Sequence, residues 1–491
     1  MPPIVAALIV FWASAAILVL EILAVRLLAP FVGITLETTT AVIGTVLAGI
    51  ALGTWLGGRA ADRMDPRRLL GPLLIMGGAL AMAVIPILGL ATSLGLRGGA
   101  GDVLLYTGIA FFAPAAVLSA ASPTVVKLQL RHLGETGSVV GRLSAIGTAG
   151  AIFGTFITGF VLVSAMPTRP IVILVGVGLV VAGVAIAASL GRSGGLGLSI
   201  VALAVLGLSV AWLALAPPRC ERESAYFCIR VTEDAFQPTG RTLHMDTLRH
   251  AYVDLEDPTW LEFAYMRLIG DVADAVAPPG EAIAALHVGG GGFTTPRYIE
   301  ATRPGSTNRV LELDLEVLRT AREELGLVTS DELTVAIGDA RVSLGDEPEG
   351  SYDLVVGDAF AGPAVPWHLT TAEFLAAVRD VLRPGGIYVA NVIDYPPSGL
   401  ARAKLATMRE VFGHVGVLGP ASRLSLGSGG NIIVLASDTP LPSAAIGAAT
   451  DRRDGGDVLV DDAATLDGFI GDAPLLRDDF APTDQLLTRP G

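Results

Sequence analysis

The chain has 491 residues, 52% of them hydrophobic and 16% charged, with a formal net charge of -14. That is too apolar for an ordinary water-soluble protein, and the acidic balance excludes nucleic acid as a partner, since phosphate binding needs a basic stripe. The average conceals a split near residue 216, with long apolar runs before it and an acidic, globular composition after it.

Runs of roughly 20 apolar residues read as helices that span a bilayer. Seven are predicted, at 4–28, 38–58, 69–94, 103–126, 143–166, 169–191 and 197–216, so the lipid bilayer is an expected partner. The first has neither a basic leader nor a small-residue cleavage site, and so reads as a retained span. Glu21 and Arg26 lie in it or near its end, where ionisable groups are functional suspects. The loop GGRAADRMDPRR (57–68) resembles, through Asp62, Arg63, Arg67 and Arg68, the loop between the second and third spans of major-facilitator transporters. It equally suits a basic cytoplasmic loop. In the fifth span Gly150 and Gly154 have the spacing that lets two helices approach closely.

Basic residues collect after span two (Arg59, Arg63, Arg67, Arg68), span four (Lys127, Arg131, Arg142) and span six (Arg192). The intervening loops offer Arg97 and Arg169. The charge rule then puts the N-terminus in the cytoplasm and, after seven spans, the C-terminal part outside. Cys220 and Cys228 follow the last span; they can pair in an oxidising compartment or stay free thiols on a cytosolic strand.

From about residue 221 short β-rich runs, ESAYFCIRV (223–231), RTLHMD (241–246) and HAYVD (250–254), predict a small antiparallel sheet. A helix over 259–276 follows, and then strict β/α alternation: strand 282–288, a helix from Pro296 capped by Thr295, strand 309–314, helix 315–326 and strand 333–337. Strand 352–357, helix 371–382 and strand 386–393, entered through the RPGG turn (383–386), complete the pattern. Apolar strands separated by amphipathic helices imply a parallel sheet covered on both faces. The expected fold is therefore a multi-pass α-helical membrane domain of about seven spans, followed by an α/β Rossmann-like, methyltransferase-type domain with a small N-terminal β-sheet. Its domains are placed at 1–216, 217–257 and 258–491.

Sheets of this kind bind ligands at the carboxyl ends of their strands. There the first strand runs into Gly289, Gly290, Gly291 and Gly292, a turn that lets a ligand approach the backbone at the start of a helix. Glu312 ends the second strand, where a carboxylate takes ribose hydroxyls; Asp339 ends the third, within reach of an adenine edge, and Asp358 the fourth. Three carboxylates at consecutive strand ends predict a nucleoside site. The third glycine of a dinucleotide fingerprint would fall at Thr294, which argues against a nicotinamide cofactor.

The pieces ESAYFCIRV, MDTLRH, the helix with Tyr265, HVGGGG, LELD, IGDA, GDAF and PGG, with RDDFAPTDQLL (477–487), resemble in order and spacing the spermidine synthases, and especially their membrane-fused bacterial versions. The resemblance implies an aminopropyltransferase that uses decarboxylated S-adenosylmethionine and a small amine such as putrescine, without a metal. It implies a donor site of Gly289 to Gly292, Glu312, Asp339, Ala340 and His250, with Asp358 as the catalytic base. Tyr265, Ala359 and Trp367 would line the amine site, and the family's soluble members associate, which leaves a homo-oligomer open. His368, Asp394, Asp478, Asp479 and Asp484 are further residues that could approach the pocket. The chain departs from the family at Gly292 and Ala361, where acids are expected, and at Phe227, His250 and Met266, where glutamines are expected. Those losses leave the nucleoside half intact, weaken the polyamine half, and admit ordinary S-adenosylmethionine and methyl transfer as the alternative chemistry. A non-catalytic, transporter-like sensor of a nucleoside or polyamine is the third reading.

Overall fold

The computed structural model describes residues 1–32, 36–91, 100–130, 132–190, 196–216, 220–362, 364–453 and 456–488, so Arg97, Arg131 and Arg192 lie outside the described residues. Contacts divide the chain into two units, Met1–Cys228 and Ile229–Gly491.

Among the described residues of the first unit, six helices are long and apolar enough to cross a membrane: α1 (Pro3–Val32), α2 (Leu36–Arg63), α3 (Pro66–Leu90), α4 (Gly101–Gln129), α5 (Thr136–Ala165) and α6 (Thr168–Leu190). The seventh predicted span is helix α7 (Leu196–Leu215), of which the stretch Ser199–Leu215 is apolar but shorter than a full crossing. The basic loop is shorter than predicted. Helix α2 runs on through Arg63 and α3 starts at Pro66, while Asp62 pairs with Lys127 of α4 at 2.7 Å.

Close helix packing follows the glycine spacing. A Cβ on Gly150 would lie 2.2 Å from the carbonyl oxygen of Phe11, and one on Gly154 2.5 Å from that of Ala15, so α5 meets α1 backbone to backbone. Arg26, near the end of α1, donates to Thr168 Oγ1 at 3.3 Å and Glu223 Oε1 at 3.1 Å, and also to the carbonyls of Ser224 and Ala225. These bonds clamp the segment after α7 and give the Arg26 charge its partners. Cys220 and Cys228 are joined in a disulfide, with Cα atoms 5.1 Å apart.

The second unit begins with antiparallel strands β1 (Cys228–Glu233), β2 (Gly240–Met245) and β3 (Leu248–Asp254). After helix α8 (Ala264–Ala275), which starts five residues later than predicted, come β4 (Ala284–Val288), α9 (Thr294–Thr302), β5 (Thr307–Glu312), α10 (Leu315–Glu324) and β6 (Leu333–Ile337). Then follow α11 (Ala340–Ser343), β7 (Tyr352–Gly357), α12 (Ala372–Val381), β8 (Leu382–Asp394) and α13 (Gly399–Val411). Strand β8 takes in the predicted RPGG turn as an irregularity: its pairing with β7 passes from Tyr352–Leu382 directly to Leu354–Ile387, and Gly385 has φ +86°. The sheet is mixed and not wholly parallel. To β8 are added β9 (His414–Pro420), β10 (Gly430–Ser437) and β11 (Asp457–Val460), all antiparallel, in the order β11-β9-β10-β8-β7-β4-β5-β6.

Alternation along the central strands fills two cores. Leu286, Val288 and Val355 face a layer with Phe374 and Leu400, while Ala285, Leu354 and Val356 face Ile269 and Ile299. The inner parallel strands β4, β7 and β8, buried on both faces along most of their length, explain the near-continuous apolar runs in the sequence. From β4 the chain winds outward to β5 and β6, then returns to the other side of β4 as β7, which puts the switch point between β4 and β7.

Candidate active site

The register of the parallel ladder assembles the site. Val288 pairs with Leu311 on one side and with Gly357 on the other, and Glu312 pairs with Ile337. Gly289, Glu312, Asp339 and Asp358 therefore leave the sheet side by side. Backbone bonds fix the exits: Gly289 N–H donates to Leu311, Asp358 N–H to Val288 and Gly338 N–H to Glu312, at 2.9, 3.0 and 2.9 Å.

The glycine turn is closed from below and from the side. Gly289 has φ +97°, and a Cβ there would lie 2.7 Å from the carbonyl oxygen of Asp358. Gly290 lies over the Phe293 ring, and Gly292 against Ala251 of β3, where an added Cβ would come within 2.6 Å of the Ala251 Cβ. An acid is thus excluded at 292 by the sheet that covers it. The predicted cap at Thr295 is corrected: α9 starts at Thr294, and the preceding Phe293, fully buried with φ 56°, takes the left-handed conformation. Thr294 Oγ1 instead donates to the Tyr252 carbonyl at 3.1 Å, tying the turn to the small sheet.

Glu312 is buried, and both its oxygens accept backbone N–H groups: Oε2 from Gly290 at 2.8 Å and Gly291 at 3.4 Å, Oε1 from Asp314 at 2.8 Å. Burial raises its proton affinity, and those three donors hold it back. Asp339 caps α11 through the Arg341 N–H at 2.8 Å and meets His368 Nε2 at 3.1 Å. Ala340 is buried at the start of that helix.

Asp358, just past β7, accepts Asn391 Nδ2 at 2.9 Å on one oxygen and the Tyr265 hydroxyl at 3.4 Å on the other. Asn431 donates to Asn391 at 3.0 Å, so the carboxylate is oriented by a two-amide relay from β8 and β10. Burial pushes Asp358 up to about 6, against the pull of Asn391, Tyr265 and the buried Lys404 of α13. Tyr265 bridges to the His250 carbonyl at 3.4 Å, and burial and the neighbouring carboxylate raise its phenol. Burial, with His244 nearby, lowers His250 to about 4, so its ring is neutral at pH 7.

Ala359 follows Asp358 against the glycine turn, and Ala361 is exposed in a bridge to Ala364. Trp367 is 48% exposed and meets His368 edge-on. Two further candidates are structural. Asp394 is fully buried and accepts the N–H groups of Tyr395, Leu400, Ala401 and Thr488. Asp478 pairs with Arg341 at 2.6 Å and accepts the Thr371 hydroxyl at 2.7 Å.

A polyamine aminopropyltransferase of Vibrio vulnificus (strain CMCP6) is 34% identical over 130 residues, 26% of this chain and 43% of that protein. The solved structure of a probable spermidine synthase from Corynebacterium glutamicum ATCC 13032 is 30% identical, covering 56% of this chain and 100% of that one, with a TM-score of 0.49. The soluble half is similar to polyamine aminopropyltransferases and spermidine synthases. A human eEF1A lysine and N-terminal methyltransferase is 28% identical over 141 residues, 26% of this chain and 20% of that protein. The chain thus spans less than half the length of either curated relative, and no protein-family model matches it.

Within this half, sequence reasoning missed Asn391, Asn431 and Lys404. Asn391 interrupts the apolar run GIYVANVI and Lys404 stands on the buried face of α13, so a polar residue in an otherwise buried pattern was the available signal.

Proposed function

We propose that the soluble half transfers an aminopropyl group from decarboxylated S-adenosylmethionine to an amine. The donor lies across the exit of β4, its ribose on Glu312, its adenine by Asp339 and Ala340, with His250 beside it. The amine enters beside Tyr265, with Ala359 and Trp367 lining its path. Its nitrogen lone pair forms a bond to the terminal aminopropyl carbon as the carbon–sulfur bond breaks. The electron pair goes to sulfur, so the sulfonium leaves as neutral methylthioadenosine. The proton shed by the new ammonium passes to Asp358. A sulfonium needs no further activation, so the task of the protein is orientation and one proton transfer.

The observation that carries this reading is Asp358 at the switch point, held by Asn391 and Tyr265 and poised near 6. Release of methylthioadenosine from labelled donor and putrescine by the purified full chain tests it; binding without release defeats it. Methyl transfer from S-adenosylmethionine is the second reading, favoured by Gly292, which places no acid against that molecule's carboxylate. Release of S-adenosylhomocysteine would identify it.

We further infer that the chain is a multi-pass protein of the cell membrane. The Cys220–Cys228 disulfide and, if all seven predicted spans cross, the basic loops favour the outside for the catalytic half, whereas six crossings and a cytosolic donor favour the inside. A C-terminal reporter active on one side only decides between them.

A further inference from the structure

This inference rests on the nucleoside placement of the proposed reading, which both transfer chemistries share, and concerns the end that holds the base. Asp339 stands just past β6, and its two oxygens have different partners. Oδ1 accepts the Arg341 N–H at 2.8 Å, and Oδ2 lies 3.1 Å from His368 Nε2. The two side chains stay open, at 40% and 30% exposure, so a ligand that reaches Asp339 also meets His368.

The imidazole is delivered by a corner that other contacts hold. Residues Trp367–Leu369 form a short turn, with Leu369 and the following Thr370 and Thr371 buried. The His368 carbonyl accepts Arg341 Nη1 at 2.9 Å. The same guanidinium donates to Thr371 Oγ1 at 2.9 Å and pairs with Asp478 at 2.6 Å. The Thr371 hydroxyl closes this ring of contacts by donating to Asp478 at 2.7 Å. His368 is thus fastened through its backbone, and its side chain is left to act on Asp339.

A carboxylate oxygen carries two lone pairs, so Oδ2 can accept the imidazole N–H and one donor more. The 6-amino group of adenine is such a donor. A 6-oxo base presents a lone pair at that position and is repelled. The imidazole N–H holds Oδ2 against rotation toward water, so the remaining lone pair keeps one direction.

We propose that His368 is a positioning residue that aims Asp339 at the base, so that the site selects a 6-aminopurine over a 6-oxopurine.

Calorimetry on the full chain in detergent tests this, with methylthioadenosine and its 6-oxo counterpart, methylthioinosine, as probes. The wild type is expected to bind methylthioadenosine at least about tenfold more tightly, the weight of one hydrogen bond to a charged group. His368→Phe keeps a ring at the corner without its N–H, and His368→Ala removes the ring. In either variant methylthioadenosine affinity is expected to fall about tenfold, while methylthioinosine affinity stays within about twofold. His368→Gln can still donate to Asp339 and is expected to keep the wild-type preference within about twofold. A structural role alone would lower both affinities together, and that result overturns the proposal. A wild-type preference below threefold overturns it too, as do a folded Phe or Ala variant with unchanged preference and a Gln variant that loses it. Failure of the wild type to bind either nucleoside defeats the nucleoside placement itself, which keeps the two failures distinct.

Discussion

Glu312 and Asp358 stand two strands apart on one sheet, both carboxylates withdrawn from bulk water and both with raised proton affinity, yet they are held in different ways. Glu312 is gripped by three backbone N–H groups, fixed dipoles that require a bare carboxylate and cannot titrate. Asp358 is gripped by side chains, an amide, a phenol and a distant ammonium, which turn and exchange more readily. On the proposed reading the first has a constant task, shaping the turn and gripping a sugar, and the second a task in which a proton comes and goes. The two ends of the pocket can therefore be broken separately.

Replacing Asp358 by Asn gives the largest effect: turnover falls by about 10²–10⁴-fold, the usual weight of a positioned base. Nucleoside affinity, measured by calorimetry, stays within about threefold, because the donor-binding atoms are untouched. Glu312→Ala reverses the pattern. Donor affinity drops, and thermal denaturation shows a loss of about 1–3 kcal/mol for each turn N–H left buried without an acceptor.

The pH dependence sharpens the comparison. In the fold Asp358 rises from 3.8 to about 6, so the native state binds its proton more tightly than the unfolded chain does. Its contribution to stability is fully present below about 3.8 and is lost as the pH rises through about 6. Turnover runs in the opposite sense, with an acid limb near 6 as the base loses its proton. Asp271, raised to about 6 by burial outside the site, adds a similar stability slope, so the difference between wild type and Asp358→Asn isolates the site's share.

Gly292→Ala forces a methyl group to within 2.6 Å of Ala251. Chemical denaturation is expected to show a loss of about 1–3 kcal/mol, as for other overpacked positions. Asn431→Ala is the mildest change. It removes one relay hydrogen bond, about 0.5–1.5 kcal/mol, and lowers turnover only a few-fold by loosening Asn391.

Much of the parallel sheet was legible because periodicity is a local signal: β4 to β7 read as apolar runs bounded by turns. The glycine turn and the three acids were legible for the same reason, since each sits where a strand ends. The antiparallel additions β9 and β10 were passed over although HVGVLG (414–419) and NIIVLA (431–436) are apolar, because no helical pattern framed them as the earlier strands were framed. Lys404 and Asn431 were not legible as parts of the site, because their proximity to Asp358 arises from packing between segments distant in sequence. The cap of α9 failed as a reading because a left-handed phenylalanine is rare, and Thr295 offered the commoner solution.

That phenylalanine has a kinetic meaning. Phe293 is wedged under Gly290 while Glu312 draws the same turn from the side, so the loop is braced before any ligand arrives. A four-glycine segment would otherwise sample many shapes and surrender that freedom on capture. Here the ordering has been completed during folding, so capture of the nucleoside is expected to resemble a key entering a finished lock, with a rate set by encounter and not by rearrangement.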